Sequence, residues 1–126
     1  MGPAAFSVVT ERELDCVTAT VTGEVDLLSV GALRRTLAEV LIDGCRMLVV
    51  DLAGVTFLDS TGLGALVATW RRARVLRVEM VIWRPSHPVS TVLGLTALDR
   101  VLAIDVRDEH PDAAERLARL TTQSEA

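Results

Sequence analysis

An unbroken apolar run at Met47–Val50 precedes an amphipathic segment, and this pairing of strand-like and helix-like segments recurs along the chain. Residues 60–74 carry apolar side chains at a spacing of three to four, and residues 78–83 form a second apolar run. A short helical segment at 88–93 precedes a third run at 101–106. Strands that alternate with helices over short connections form parallel sheets with right-handed crossovers. The pattern therefore predicts an α/β domain.

The first third of the chain adds a hairpin and a helix. Strand-like segments at 7–10 and 16–22 flank a charged connection, and the second alternates apolar with threonine side chains, as in a half-covered strand. Residues 29–43 have helical apolar spacing, with Ser29 as the expected N-cap and Gly44 just beyond the helix. We therefore expect a mixed, mostly parallel sheet of four or five strands, with an antiparallel edge hairpin and about four helices.

The length of 126 residues fits one globular domain. We assign residues 1–126 to a single domain whose core spans about 6–108. A C-terminal helix is predicted at about 111–121, because Pro111 suits a first helical turn and apolar side chains follow at helical spacing. Residues 122–126 are interpreted as a polar, frayed tail.

The composition excludes several function classes. All thirteen basic residues are arginine, so the chain lacks the lysine that P-loops and Schiff-base enzymes require. The net charge of -4 argues against a nucleic-acid partner and favours protein partners. The two cysteines are far apart in sequence, and no apolar run reaches the roughly 18 residues of a membrane span. We therefore expect a cytoplasmic protein that inserts no segment into a membrane.

Groups suited to catalysis or metal binding are scarce. Leu58 stands where a G-x-S-x-G nucleophile motif around Ser60 would require glycine. His87 and His110 each precede a proline in a predicted loop, where we expect solvated side chains. The histidines and cysteines also lack metal-ligand spacing. We expect no catalytic residue, no cofactor and no metal site, and therefore no enzymatic activity.

The segment 51–64 follows the first apolar run, and we interpret it as a loop leading into a helix. Asp59 or Ser60 would cap that helix, and Gly62 and Gly64 would let its first turn approach neighbouring backbone. Taken alone, the pattern is consistent with a well-capped helix that has no further role.

Three segments together closely resemble the STAS domains of bacterial anti-sigma factor antagonists. They are Thr22–Asp26, Asp51–Val55 and Phe57–Gly64, and the last contains the specific element Asp-Ser-Thr-Gly-Leu-Gly. The resemblance runs from about Phe6 to Asp108. It implies the STAS fold, which agrees with the predicted mixed sheet.

The resemblance also implies a function. In the family, the serine directly after the aspartate is phosphorylated by a partner anti-sigma factor that is a serine kinase, which makes Ser60 the expected phosphorylation site and Thr61 the less favoured acceptor. The unphosphorylated protein would bind the kinase and free a sigma factor; phosphorylation would abolish binding, and a separate phosphatase would reverse it. The residues implied in partner binding are Asp26, Asp59, Ser60, Thr61, Gly62 and Leu63.

An alternative of a different class stays open. The chain could be a non-switching STAS scaffold, or an accessory subunit of a membrane transport complex, with Ser60 serving only as a helix cap. Leu27 and Leu28 stand where relatives often carry small polar residues; we expect local burial, with contact to a partner as the alternative. We expect the arginines of the segment Arg71–Arg77 to be solvated at the end of their helix.

Overall fold

The computed structural model describes residues 5–113, which form a five-stranded sheet with three α-helices and one 3-10 turn. The expected α/β fold is confirmed, with five strands. The strands are β1 Ser7–Glu13, β2 Cys16–Val25, β3 Met47–Leu58, β4 Glu79–Trp83 and β5 Ala103–Asp105; the helices are α1 Val30–Asp43, α2 Ser60–Val75 and α3 His87–Leu95, and the 3-10 turn is Leu98–Arg100.

The strands lie in chain order, β1-β2-β3-β4-β5. β1 and β2 form the predicted antiparallel hairpin, and every other neighbouring pair is parallel. Each parallel connection carries a helix, so α1, α2 and α3 all begin at the edge where the parallel strands end. That edge is where functional groups collect in open α/β sheets.

The three helices pack on one face of the sheet. Val17, Ala19 and Val21 of β2 point to this face and belong to one buried cluster with residues of all three helices. Strand side chains alternate between faces, so this set follows directly from the alternation seen in the sequence. Its members are small and aliphatic, as expected for a chain with only 3% aromatic residues.

The second face of the sheet is covered at one end by residues after β5. Trp83, with Cys16, Met47 and Val49, forms a separate buried cluster there. The Trp83 indole N–H donates to the carbonyl of Arg107 at 2.7 Å, and the ring of His110 packs edge-on against it. His110 is half-buried and bonds to a β2 threonine, so the expectation that it is solvated was wrong: the chain after β5 returns across the sheet. His87 is exposed, as predicted.

β3 is much longer than the predicted strand at 47–50, and the predicted loop at 51–58 is its second half. Val55 and Leu58 are buried and pair with Gly23 and Val25 of β2. Register shifts in this pairing space the buried residues Leu52, Val55 and Leu58 three apart instead of two. This irregular spacing conceals a strand from a search for strict alternation.

The predicted fourth helix at 111–121 and the tail at 122–126 lie outside the described residues, apart from Pro111, Asp112 and Ala113.

Candidate functional site

The site lies where β2 and β3 end side by side. Val25 and Leu58 are paired at the last position of each strand, and the Asp59 N–H donates to the Val25 carbonyl at 3.2 Å. Asp26 and Asp59 each follow one of these paired residues. The segments after β2 and β3, which the resemblance implies in partner binding, are therefore adjacent.

Asp59 is the N-cap of α2. One of its carboxylate oxygens accepts from the backbone N–H groups of Thr61 and Gly62 at 2.9 and 3.1 Å. The Thr61 hydroxyl donates to the same oxygen, and the backbone N–H of Leu27 also faces the carboxylate. These donors, with the Thr61 hydroxyl first, hold the pKa of Asp59 below its ordinary value. The carboxylate therefore joins the loop after β2 to the first turn of α2.

This lowered pKa gives Asp59 a testable pH signature. At a pH between the pKa of Asp59 in the folded protein and its ordinary pKa, the unfolded chain binds more protons than the folded chain does. The contribution of Asp59 to stability is therefore present at neutral pH and is lost in acid. We expect Asp59→Ala to lower Tm at pH 7. The difference in Tm between this variant and wild type should be smaller at about pH 3. Thermal melts at both pH values measure this. Asp43→Ala, which removes an exposed carboxylate at the end of α1, is the control; an Asp59→Ala gap that stays constant with pH would contradict the cap assignment.

Ser60 and Thr61 differ in the state of their hydroxyls. Ser60 is exposed at the first position of α2, and its hydroxyl has no hydrogen-bond partner within residues 5–113. The Thr61 hydroxyl is half-buried and bonded to Asp59. Asp59, not Ser60, is therefore the cap, so the Ser60 hydroxyl is accessible to a partner or a modifying enzyme.

Gly62 and Leu63 anchor the first turn of α2. Gly62 is buried, and a Cβ on it would lie 2.5 Å from the Leu58 Cδ1 and 2.7 Å from a methyl carbon of Val25. Leu63 is half-buried against the main core. Only glycine lets the helix come this close to the two strand ends, which explains its place two residues after Ser60.

Asp26 organises the loop between β2 and α1. Its side chain accepts from the N–H groups of Leu28 and Ser29 at 3.0 and 3.2 Å, and its carbonyl accepts from Val30 at 2.8 Å. Ser29 occupies the predicted N-cap position, but its hydroxyl makes no bond to the helix amides and donates instead to the Glu24 carbonyl. The cap chemistry predicted for Ser29 was wrong, because Asp26 supplies the turn.

The expected burial of Leu27 and Leu28 was also wrong. Their side chains are 74% and 96% exposed. The hydrogen bonds of Asp26 turn the chain sharply at this point and leave both leucines at the tip of the loop. The amino-acid sequence alone does not reveal this exposure, because it depends on the side-chain hydrogen bonds of the neighbouring Asp26.

Arg71, Arg72 and Arg74 lie on the last turns of α2 and Arg77 lies just beyond the helix, and all four are exposed, as expected. Arg74 also stacks on the Trp70 ring, with its guanidinium carbon 4.9 Å from the ring centroid. One arginine missed by sequence analysis has a structural role: Arg84 pairs with the buried carboxylate of Asp51 at 2.7 Å. Strand register places these two residues near each other, which composition alone does not reveal.

Among residues 5–113 there is no group of three or more histidine, cysteine or acidic residues arranged to hold a metal ion. No helix in this part of the chain is long and apolar enough to cross a membrane.

Comparison with known proteins agrees with this architecture. The STAS domain profile matches residues 7–113. The chain belongs to the STAS domain family. A curated relative from Staphylococcus aureus, an anti-sigma-B factor antagonist, is 31% identical over 85 residues, which cover 68% of this chain and 79% of that protein.

Solved STAS structures share the fold. The crystal structure of an anti-sigma factor antagonist from Mycobacterium paratuberculosis is similar with a TM-score of 0.76 and 25% identity, over 91% of this chain and 95% of that one. The Bacillus cell fate determinant SpoIIAA, in its phosphorylated form, is similar with a TM-score of 0.66 over 90% of this chain and 99% of that one. At 18% identity this second likeness concerns the fold alone. The resemblance to STAS-domain anti-sigma factor antagonists is thus confirmed.

Proposed function

We propose that this STAS protein is an anti-sigma factor antagonist whose binding is switched at Ser60. In its unphosphorylated form it binds an anti-sigma factor that is also a serine kinase, and so releases a sigma factor. The exposed, unbonded Ser60 hydroxyl at the start of α2 is the observation that carries this proposal. Asp26, Asp59, Ser60, Thr61 and Leu63 form the binding surface, and the buried Gly62 supports it by letting the first turn of α2 pack closely on the strand ends.

The first turn of α2 suits a surface switch. The N–H groups of Thr61 and Gly62 are already bonded to Asp59, so a phosphate on Ser60 would not need to rearrange the cap to keep these amides satisfied. The positive end of the helix dipole favours the added charge. Phosphorylation therefore changes the charge and shape of the surface by about -1.5 to -2 charges while the fold is kept.

The antagonist supplies a hydroxyl and the kinase supplies the chemistry. The Asp59 carboxylate is already hydrogen-bonded as the N-cap of α2. The residues around Ser60 therefore position its hydroxyl, the phosphate acceptor, and catalyse nothing themselves. Nucleotide, Mg²⁺ and the groups that align the reaction belong to the partner. A separate cytoplasmic phosphatase would remove the phosphate and restore binding.

Two observations on relatives support the switch. The Staphylococcus aureus relative is an anti-sigma-B factor antagonist, and SpoIIAA exists in a phosphorylated form. In this chain Ser60 is the exposed hydroxyl at the start of α2 that such a modification would use.

Intact mass spectrometry tests the proposal. Each purified anti-sigma factor kinase of the source organism is incubated with the chain and ATP-Mg²⁺. We expect one phosphate to be added by at least one kinase, to be absent in Ser60→Ala and to persist in Thr61→Val. Binding without phosphorylation by any kinase would instead favour the non-switching scaffold.

A further inference from the structure

Leu27 and Leu28 form an exposed apolar pair beside the candidate site. Leu28 is almost fully exposed, at 96%, and its neighbour Leu27 is 74% exposed. Single exposed apolar residues are common on protein surfaces and need no explanation. Two adjacent leucines at a loop tip are a different case, because both side chains become available to one partner surface.

The pair is held in place by the site itself. The Asp26 carboxylate accepts from the Leu28 N–H at 3.0 Å, and the Leu27 N–H faces the carboxylate of Asp59. Asp59 in turn caps the helix that begins at Ser60. These contacts hold the backbone of both leucines close to the start of α2, so a partner has to order only the two side chains on binding.

Other exposed leucines lack this setting. Leu95 is 82% exposed, but it is the last residue of α3. Since the helices begin at the edge where the parallel strands end, the last residue of α3 lies towards the opposite edge of the sheet. The pair at 27–28 is instead continuous with the proposed binding surface.

We propose that Leu27 and Leu28 are an apolar anchor that inserts into a hydrophobic pocket of the anti-sigma factor, next to the surface that receives Ser60. This inference rests on the proposed function and adds the chemistry of the partner. The anchor provides affinity and selects among anti-sigma factors, because a partner with a polar surface at this place would leave two leucines unburied. Ser60 provides the switch.

Binding measured by calorimetry against the panel of purified anti-sigma factor kinases tests the anchor. For the kinase that binds wild type, we expect the double variant Leu27→Ser/Leu28→Ser to bind at least about 10-fold more weakly. Leu95→Ser, the same exchange at an exposed leucine away from the site, should bind as wild type does. Leu28→Met keeps the apolar volume and should retain binding within about threefold.

Phosphorylation kinetics give a second readout. The double variant should raise KM for phosphorylation of Ser60 with little change in kcat, because it keeps the acceptor and loses the docking contact. Circular dichroism melts should match wild type, since both side chains are solvated in the free protein.

The outcomes separate the two proposals. Equal affinity of the double variant and wild type, with Ser60→Asp still abolishing binding, would overturn the anchor and leave the switch intact. If the wild-type protein binds none of the kinases, both the proposed function and the apolar anchor are overturned. Light scattering could show that wild type is a dimer and the double variant a monomer, with the affinity for the kinase unchanged. That result would assign the leucines to self-association and would also overturn the anchor.

Discussion

Ser60→Asp is expected to weaken binding to the anti-sigma factor at least about 100-fold, because negative charge and bulk at a complementary surface cost several kcal/mol and about 1.4 kcal/mol is tenfold. The Ser60 side chain is exposed and its hydroxyl makes no hydrogen bond within the described residues, so its replacement removes no hydrogen bond. The charge also lies at a helix N-terminus, where it is favourable. Tm should therefore stay within about 2 °C of wild type, because substitutions at exposed sites usually have small effects.

Ser90→Asp is the matched control for this result. Ser90 is an exposed serine in the first turn of α3, where it is the fourth residue of the helix, so the variant has the same net charge and also places it near a helix N-terminus. We expect its affinity to remain within a few-fold of wild type by calorimetry. A large drop in Tm for Ser60→Asp, or equal loss of binding in both variants, would show that the effect is not local to the Ser60 surface.

Gly62→Ala is expected to destabilise the fold by about 2 kcal/mol, because a new methyl group would overlap two buried side chains. Its Cβ would lie 2.5 Å from the Leu58 Cδ1 and 2.7 Å from the Val25 Cγ1. Leu58 can move its end, but the branched Val25 is buried at the end of β2 and cannot yield without shifting the helix. Tm should fall by about 5–10 °C.

Gly64→Ala, in the same turn of α2, should have the opposite sign. A Cβ there meets only the end of the flexible Arg34 side chain, at 3.5 Å. Alanine stabilises a helix interior relative to glycine by about 0.5–1 kcal/mol. Chemical denaturation of both variants measures the contrast; equal stabilisation by the two substitutions would contradict the close approach of α2 to the strand ends.

The fold was predictable because its signals are local. The apolar run at Met47–Val50 and the helical spacing at 60–74 arise from periods that a sequence displays directly, and the structure confirms both elements. The antiparallel hairpin at the edge was predicted for the same reason. The second half of β3 was missed, because its buried residues depend on register shifts against β2 that no local period records.

The site was predictable in part. The position of Ser60 at the start of a helix follows from the sequence, which left Asp59 and Ser60 as alternative caps; the structure makes Asp59 the cap. Only the structure shows that the Thr61 hydroxyl donates a hydrogen bond to Asp59, whereas the Ser60 hydroxyl is left without one among the described residues. The exposure of Leu27 and Leu28 also required the structure, as did the packing of His110 on Trp83.

The sequence by itself determined the order of strands and helices and placed a hydroxyl pair at the head of α2, because periodicity and capping act over only a few residues. Tertiary structure alone decided which groups meet. Val25 and Leu58 lie 33 positions apart in the chain, yet their pairing brings Asp26 and the loop that carries the two exposed leucines next to Asp59 at the start of α2. Contacts between strands depend on register, and register is a property of the whole sheet.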